Sequence, residues 1–140
     1  MSQRHRLLLI AFALIFASVI GFGVYVAEIS LDAERTHQAY IRVLESLIVY
    51  LQVTHGQWPR SWSDLSAVSS DKNAFFPRPD DVNEIRRRVY IRFDVTASEI
   101  AKMNVTDFDV VQQIGPNYGR QEGFIEQLIK TAVHFSERPE

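Results

Sequence analysis

The distribution of apolar and polar positions divides the chain unevenly. From Leu7 to Ala27, LLLIAFALIFASVIGFGVYVA, about twenty residues pass without a charge. At a rise of about 1.5 Å per residue such a helix reaches about 30 Å, the hydrocarbon thickness of a bilayer. The run is longer than the apolar core of a cleaved signal peptide. A cut after Ala27 would put Tyr25 at the small-residue position, and Gly21 with Gly23 offers only a weak substitute. The pattern therefore predicts a retained signal-anchor, a single-pass transmembrane helix in contact with the lipid bilayer.

Beyond Glu28 the apolar positions thin out into a stripe. Tyr40, Leu44, Leu47 and Leu51 recur at helical spacing, flanked by Ile41 and Ile48. No proline lies between Ala27 and Thr54, and no glycine follows Gly23 until Gly56. The simplest reading is one continuous helix from Leu7 to Thr54, about 70 Å long, with its first half in lipid and its second half packed on a domain. Ser30 could instead cap a fresh helix, with Asp32 and Glu34 in its first turn. The stripe lasts under three heptads, too short for a coiled coil.

The stretch HGQWPRSWSDL then forms a corner. Gly56 can adopt the left-handed conformation that ends a helix, and Pro59 prevents its resumption. Ser61 is a candidate N-cap with Asp64 three residues on, opening a short helix to about Ala67. Trp58 and Trp62 bracket the turn, and their apolar area is expected to seal the helix end against the domain. The competing reading of the two rings is a stacking or sugar-binding pair. His55 has no partner at ligand spacing and is read as a capping or solvent-facing side chain.

Val68–Asp81 is rich in turn formers and is expected to be a loop anchored by Phe75 and Phe76. Its Asp71, Asp80 and Asp81 lack the spacing, glycine and closing glutamate of a calcium loop. Arg86-Arg87-Arg88 leads into a period-two segment in which Val89, Ile91, Phe93 and Val95 face inward and Tyr90, Arg92, Asp94 and Thr96 outward. The arginines read as a charged strand edge that blocks edge pairing, or as a contact to lipid phosphate or an acidic partner. Thr96 with Glu99 forms a second capping box, for a helix through about Met103. Asn104-Val105-Thr106 fits a glycosylation sequon. Phe108–Ile114 suits either a strand or a helical turn, ended by Gly115-Pro116-Asn117. Phe124, Leu128, Ala132 and Phe135, with Ile125 and Ile129, predict an amphipathic C-terminal helix over Gln121–Phe135.

Charge narrows the function classes. The chain has 15 basic and 17 acidic side chains, and without Arg4 and Arg6 the part beyond the span carries 13 against 17. A net acidic domain argues against nucleic acid, which wants a basic face. The chain has no cysteine. Disulfides, thiol catalysis, Cys-based zinc and iron–sulfur clusters are therefore excluded. Asp94, Asp107 and Asp109 are tied by spacing to no histidine or nucleophile and read as solvated faces. No catalytic, cofactor-binding or metal-binding residue is assigned. Arg4 and Arg6 stand nearest the span on its N-terminal side and predict that end in the cytoplasm, with the C-terminal domain outside.

A long apolar helix that turns amphipathic, then Gly56-x-Trp58-Pro59, then a short segment ending in Asp64-Leu65, resembles type IV pilins and type II secretion pseudopilins over the first half of the chain. The resemblance implies a spine helix packed on a small antiparallel sheet and a role in an envelope assembly. The chain departs from that family at the processing site. Arg6 stands where pilin precursors have a glycine, and no acid precedes Glu28 where they carry a glutamate near the mature N-terminus. The likeness therefore concerns shape and not the pilin processing and assembly signal.

These readings combine into an α+β protein of two parts. Residues 1–27 form a cytoplasmic tail and anchor. Residues 28–140 form an exoplasmic or periplasmic domain with two defensible strands and a closing helix. Ala13, Ala17 and Gly21, four apart on one face of the span, form a small-residue row through which the helix would meet itself or a protein partner. Gly56, Trp58, Pro59, Trp62 and Asp64 form the structural corner. The expected function is a non-enzymatic pilin-like subunit of a cell-envelope assembly. The alternative is an anchored module that binds a small ligand or peptide outside the membrane.

Overall fold

The computed structural model describes residues 3–69, 79–116 and 118–137. Its spine is a single helix, α1 (Gln3–Val53), unbroken through Ser30. At the standard rise this helix is about 75 Å long. Every described residue from Gln3 to Leu31 is exposed, and burial begins at Ala33. From there the inward face carries Tyr40, Val43, Leu44, Leu47, Ile48 and Leu51, wider than the four-residue stripe because Ala33, Thr36, Ala39 and Ser46 also face the core. Thr36 and Ser46 are tolerated there because each hydroxyl donates to the carbonyl four residues back. Thr36 Oγ1 reaches the Asp32 carbonyl at 3.0 Å, and Ser46 Oγ reaches the Arg42 carbonyl at 2.7 Å.

The rest of the chain wraps that face. Helix α2 (Trp62–Ser69) follows the corner, α3 (Pro79–Arg88) runs into strand β1 (Val89–Ile91), and α4 (Ala97–Ile100) precedes a 3-10 turn over Val105–Asp107. Strand β2 (Val111–Gln113) and helix α5 (Glu122–Ser136) complete the order. β1 and β2 pair antiparallel with Tyr90 opposite Gln112 and Ile91 opposite Val111. α5 packs on α1 and α4, and the core runs from α1 through Leu65, Ile85, Val89, Ile100, Val110 and Leu128. The fold is α+β, a long apolar N-terminal helix on a small antiparallel sheet with a C-terminal helix.

Several expectations need correction. The segment expected as loop is shorter than Val68–Asp81: α2 continues to Ser69, and α3 starts at Pro79. A proline is well suited to the first helical position. Asp71, Phe75 and Phe76 lie outside the described residues. Arg86–Arg88 form the last turn of α3 and not a strand edge. Cations there complement the helix dipole.

The strand ends at Ile91, although the in-and-out alternation persists to Val95. Arg92 N–H still donates to Val110 carbonyl at 2.8 Å, but the Arg92 carbonyl is taken by the Trp58 indole at 2.9 Å. The ambiguous stretch Phe108–Ile114 contains strand β2, and the helical turn lies before it, a 3-10 turn that ends at Asp107 instead of opening at Thr106. The second capping box is present, with both reciprocal bonds formed. Glu99 N–H donates to Thr96 Oγ1 at 3.2 Å, and Thr96 N–H donates to the Glu99 carboxylate at 2.7 Å. These hydrogen bonds hold the Glu99 carboxyl below its ordinary value. α5 lies within one residue of its predicted ends, with Ile125, Leu128 and Ala132 as its buried line.

The end of α1 shows why the corner contains a glycine. His55 takes the left-handed conformation at φ 55° and Gly56 follows at φ 90°. Gly56 N–H donates to the Leu51 carbonyl at 2.8 Å. This is the long closing bond of a helix C-terminus. A Cβ on Gly56 would stand 2.5 Å from Phe135 Cβ, so backbone conformation and space both demand glycine. Gly115, at φ 92°, has open space around its missing side chain. Gly56→Ala should therefore cost more than Gly115→Ala, which carries only backbone strain of about 1–3 kcal/mol. Thermal unfolding in detergent checks the order, and equal losses would mean that the α5 contact yields freely.

Candidate functional site

Two regions carry the residues singled out by sequence, and they lie at opposite ends of α1. The first is the apolar half of the helix. Phe12 and Phe22 are 68% and 69% exposed, and α1 contains a stretch long and apolar enough to cross a membrane, none of it buried within the protein. Ala13, Ala17 and Gly21 lie along one side of this exposed rod, and nothing approaches within 4 Å of the missing Cβ of Gly21. Ser18 spends its hydroxyl on the Leu14 carbonyl at 2.8 Å, which leaves it no free donor for a neighbour. The row therefore presents small side chains and helix backbone to whatever surrounds it.

The second region is the corner. Trp58 is buried, and its indole N–H donates to Arg92, fixing the helix end to the strand segment. Pro59 is fully buried beside it. Trp62 is only half-buried and stands edge-on to Phe93, with ring centroids 5.9 Å apart. Edge-on contact is a favoured geometry for aromatic pairs. Asp64 N–H donates to Ser61 Oγ at 3.2 Å as the N-cap reading requires, but its carboxylate accepts from Arg60 N–H at 2.9 Å, one residue before the expected cap. The two tryptophans serve one turn but do not face each other as a stacking pair: one ring is hydrogen-bonded into the core and the other packs at its rim. His55 is exposed and meets the Phe135 ring edge-on, at 6.4 Å.

The acids of the sheet region are held by a cation. Arg92 donates to Asp109 at 3.1 Å and approaches Asp94 at 3.6 Å. Asp109, with Asp94 beside it, pushes the guanidinium further up. Asp107 lies near the Asn104 amide at 3.5 Å, apart from the other two. His37, half-buried, faces the Tyr118 ring and the Gln121 amide, with no carboxylate or nucleophile beside it. Among the described residues no three metal-ligating side chains converge, and the surface recesses are shallow and open.

Three contacts were not legible in the sequence. Arg88 reaches back across 56 residues to Asp32, donating to its carboxylate at 2.7 Å and to Thr36 Oγ1 at 3.1 Å. Tyr118 donates its hydroxyl to the Ser30 carbonyl at 3.0 Å. Arg120 spans the turn before β2, donating to the carbonyls of Val105, Thr106 and Phe108. The run of three arginines was a signal of charge, but only the path of α3 shows which of them turns inward. No known protein family, curated protein or solved structure matches this chain.

Truncating the two tryptophans should separate their roles. Trp58→Ala removes a buried ring and orphans the Arg92 carbonyl, a loss of about 3–5 kcal/mol for the ring alone. Trp62→Ala, at the rim, should cost clearly less. Denaturant unfolding of the two variants measures the difference, and a neutral Trp58→Ala would contradict the closure described here.

Proposed function

We propose that this chain is a single-pass, membrane-anchored, non-enzymatic subunit of a cell-envelope assembly, similar in shape to pilins and pseudopilins. The observation that carries the reading is the division of α1. One helix is apolar and wholly exposed up to Leu31, then becomes a buried spine from Ala33 to Leu51. Leaving so long an apolar surface in water would be unfavourable by about 25 cal/mol for every Å². A bilayer or the apolar helices of partners would remove that cost, and the small row at Ala13, Ala17 and Gly21 suits close helix approach.

The proposed orientation places the N-terminus in the cytoplasm and the domain outside. In intact cells, a cysteine at Gln3 is expected to resist a membrane-impermeant thiol reagent, and one at Ser136 to react. The reverse pattern would overturn the orientation, and labelling of both in cells proven intact would overturn the anchor.

The association face has its own test. Changing Ala17 and Gly21 together to leucine should abolish cross-linking of the full-length chain to itself or a partner, with membrane insertion intact. Association that survives the double change would move the interface elsewhere on the helix. A ligand that raises the melting temperature of the protein would favour a binding module instead. Turnover of any substrate by the purified protein would end the non-enzymatic reading.

A further inference from the structure

We propose that the end of the domain around Ser30–Asp32 is a lipid-contact surface. In it, Arg87 takes phosphate oxygens of anionic lipids, and Tyr118 rests in the headgroup layer. The inference rests on the reading of α1 as a membrane span and adds the domain's own seat on that membrane.

Height along α1 is the first argument. If Leu7–Ala27 fills the hydrocarbon, Ser30–Asp32 stands about 5–8 Å beyond it, within the headgroup region. Two parts of the domain are tied at that level. The Tyr118 hydroxyl donates to the Ser30 carbonyl, and Arg88 donates to the Asp32 carboxylate. They are also tied to each other, because Ile114 N–H donates to the Arg88 carbonyl at 2.7 Å. The C-terminal end of α3 and the turn after β2 therefore meet α1 where its exposed half ends. A recess between them is lined by Asp32, Glu84, Arg87, Arg88, Ile114 and Pro116.

Charge and polarity are the second argument. Arg88 is committed to Asp32 and, at 3.4 Å, to Glu84. Both acids of the recess are thereby engaged. Arg87 is exposed and forms no ion pair with a described residue, whereas Arg86 lines a different recess with Arg60, Ser61 and Trp62. Arg35 stands on the Asp32 side of α1, one turn further from the apolar half, and Glu28 one turn nearer to it, so the two offset one another. The cationic excess is left on the last turn of α3. Beside it, Ile114 and Tyr118 are 47% and 57% exposed. An aromatic ring with its polar tip turned to the helix backbone suits a membrane interface. Continuity with the apolar helix selects lipid phosphate over free phosphate or an acidic protein.

The test uses the full chain in vesicles of phosphatidylcholine and phosphatidylglycerol. The sequence has no cysteine, so a nitroxide can be placed singly at Ala17→Cys, Ser98→Cys or Pro116→Cys. Oxygen and nickel accessibility should place Ala17 in hydrocarbon, Ser98 in water and Pro116 at the interface. A Pro116 label as aqueous as Ser98, with Ala17 in hydrocarbon, would overturn this surface and leave the anchor standing. An aqueous Ala17 would overturn the anchor and the surface with it. In the Arg87→Gln variant, the excess of spin-labelled phosphatidylglycerol over phosphatidylcholine around the protein should fall about fivefold. An unchanged excess would overturn the role of Arg87. Displacement of the labelled phosphatidylglycerol by inorganic phosphate would mean that free phosphate, not lipid, is the ligand.

Discussion

One helix must satisfy two environments, and the rest of the structure follows from where it changes over. Up to Leu31 every described residue of α1 is exposed, although Tyr118 reaches the Ser30 carbonyl; from Ala33 its inward face is core. Helix propagation is indifferent to that change, because each backbone hydrogen bond closes within the same segment whatever surrounds it. The side chains therefore decide. Asp32 marks the change, with its carbonyl accepting from Thr36 and its carboxylate from Arg88. The Arg88 side chain is 17% exposed. A mostly buried cation needs a partner, and Asp32 supplies it where burial of the helix begins.

At the other end, α1 is stopped and closed by separate devices. The left-handed His55 and Gly56 end the helix, and Phe135 on α5 fills the space that any side chain on Gly56 would need. Trp58 then carries the closure into the sheet through the Arg92 carbonyl. That bond also helps explain why the sheet is so small. A carbonyl taken by an indole cannot continue a ladder, and the opposite chain enters β2 from a turn held by Arg120. Two short strands suffice because α1 and α5 supply most of the core.

Several charged side chains of the domain are spent internally. Arg88, Arg92 and Arg120 each serve a carboxylate or backbone carbonyls, and Asp94 and Asp109 are bound to Arg92. Among the described residues, the apolar half of α1 with its small-residue row and Arg87 near the end of α3 are not used in this way. The exposed apolar half of α1 is what supports the proposal of an anchored subunit.

What the sequence determined by itself was local or one-dimensional. An uncharged run can be counted, and it exposes its length whatever the fold. The helical period through Leu51, the stop at Gly56 and the Thr96–Glu99 box depend on residues within a few positions of one another, so their spacing carries them. The period-two pattern of Val89–Val95 told which side chains face inward but not how far the strand extends, because a ladder needs a partner and that partner ends at Val111. Pro79 was read as a turn former and begins a helix, because proline suits both and only its context chooses. The fate of the arginines, the Tyr118–Ser30 bond and the fit of Phe135 over Gly56 link residues 56 to 88 positions apart. Those contacts have no spacing to read, and only the packing of α3, the β2 turn and α5 against one helix decided them.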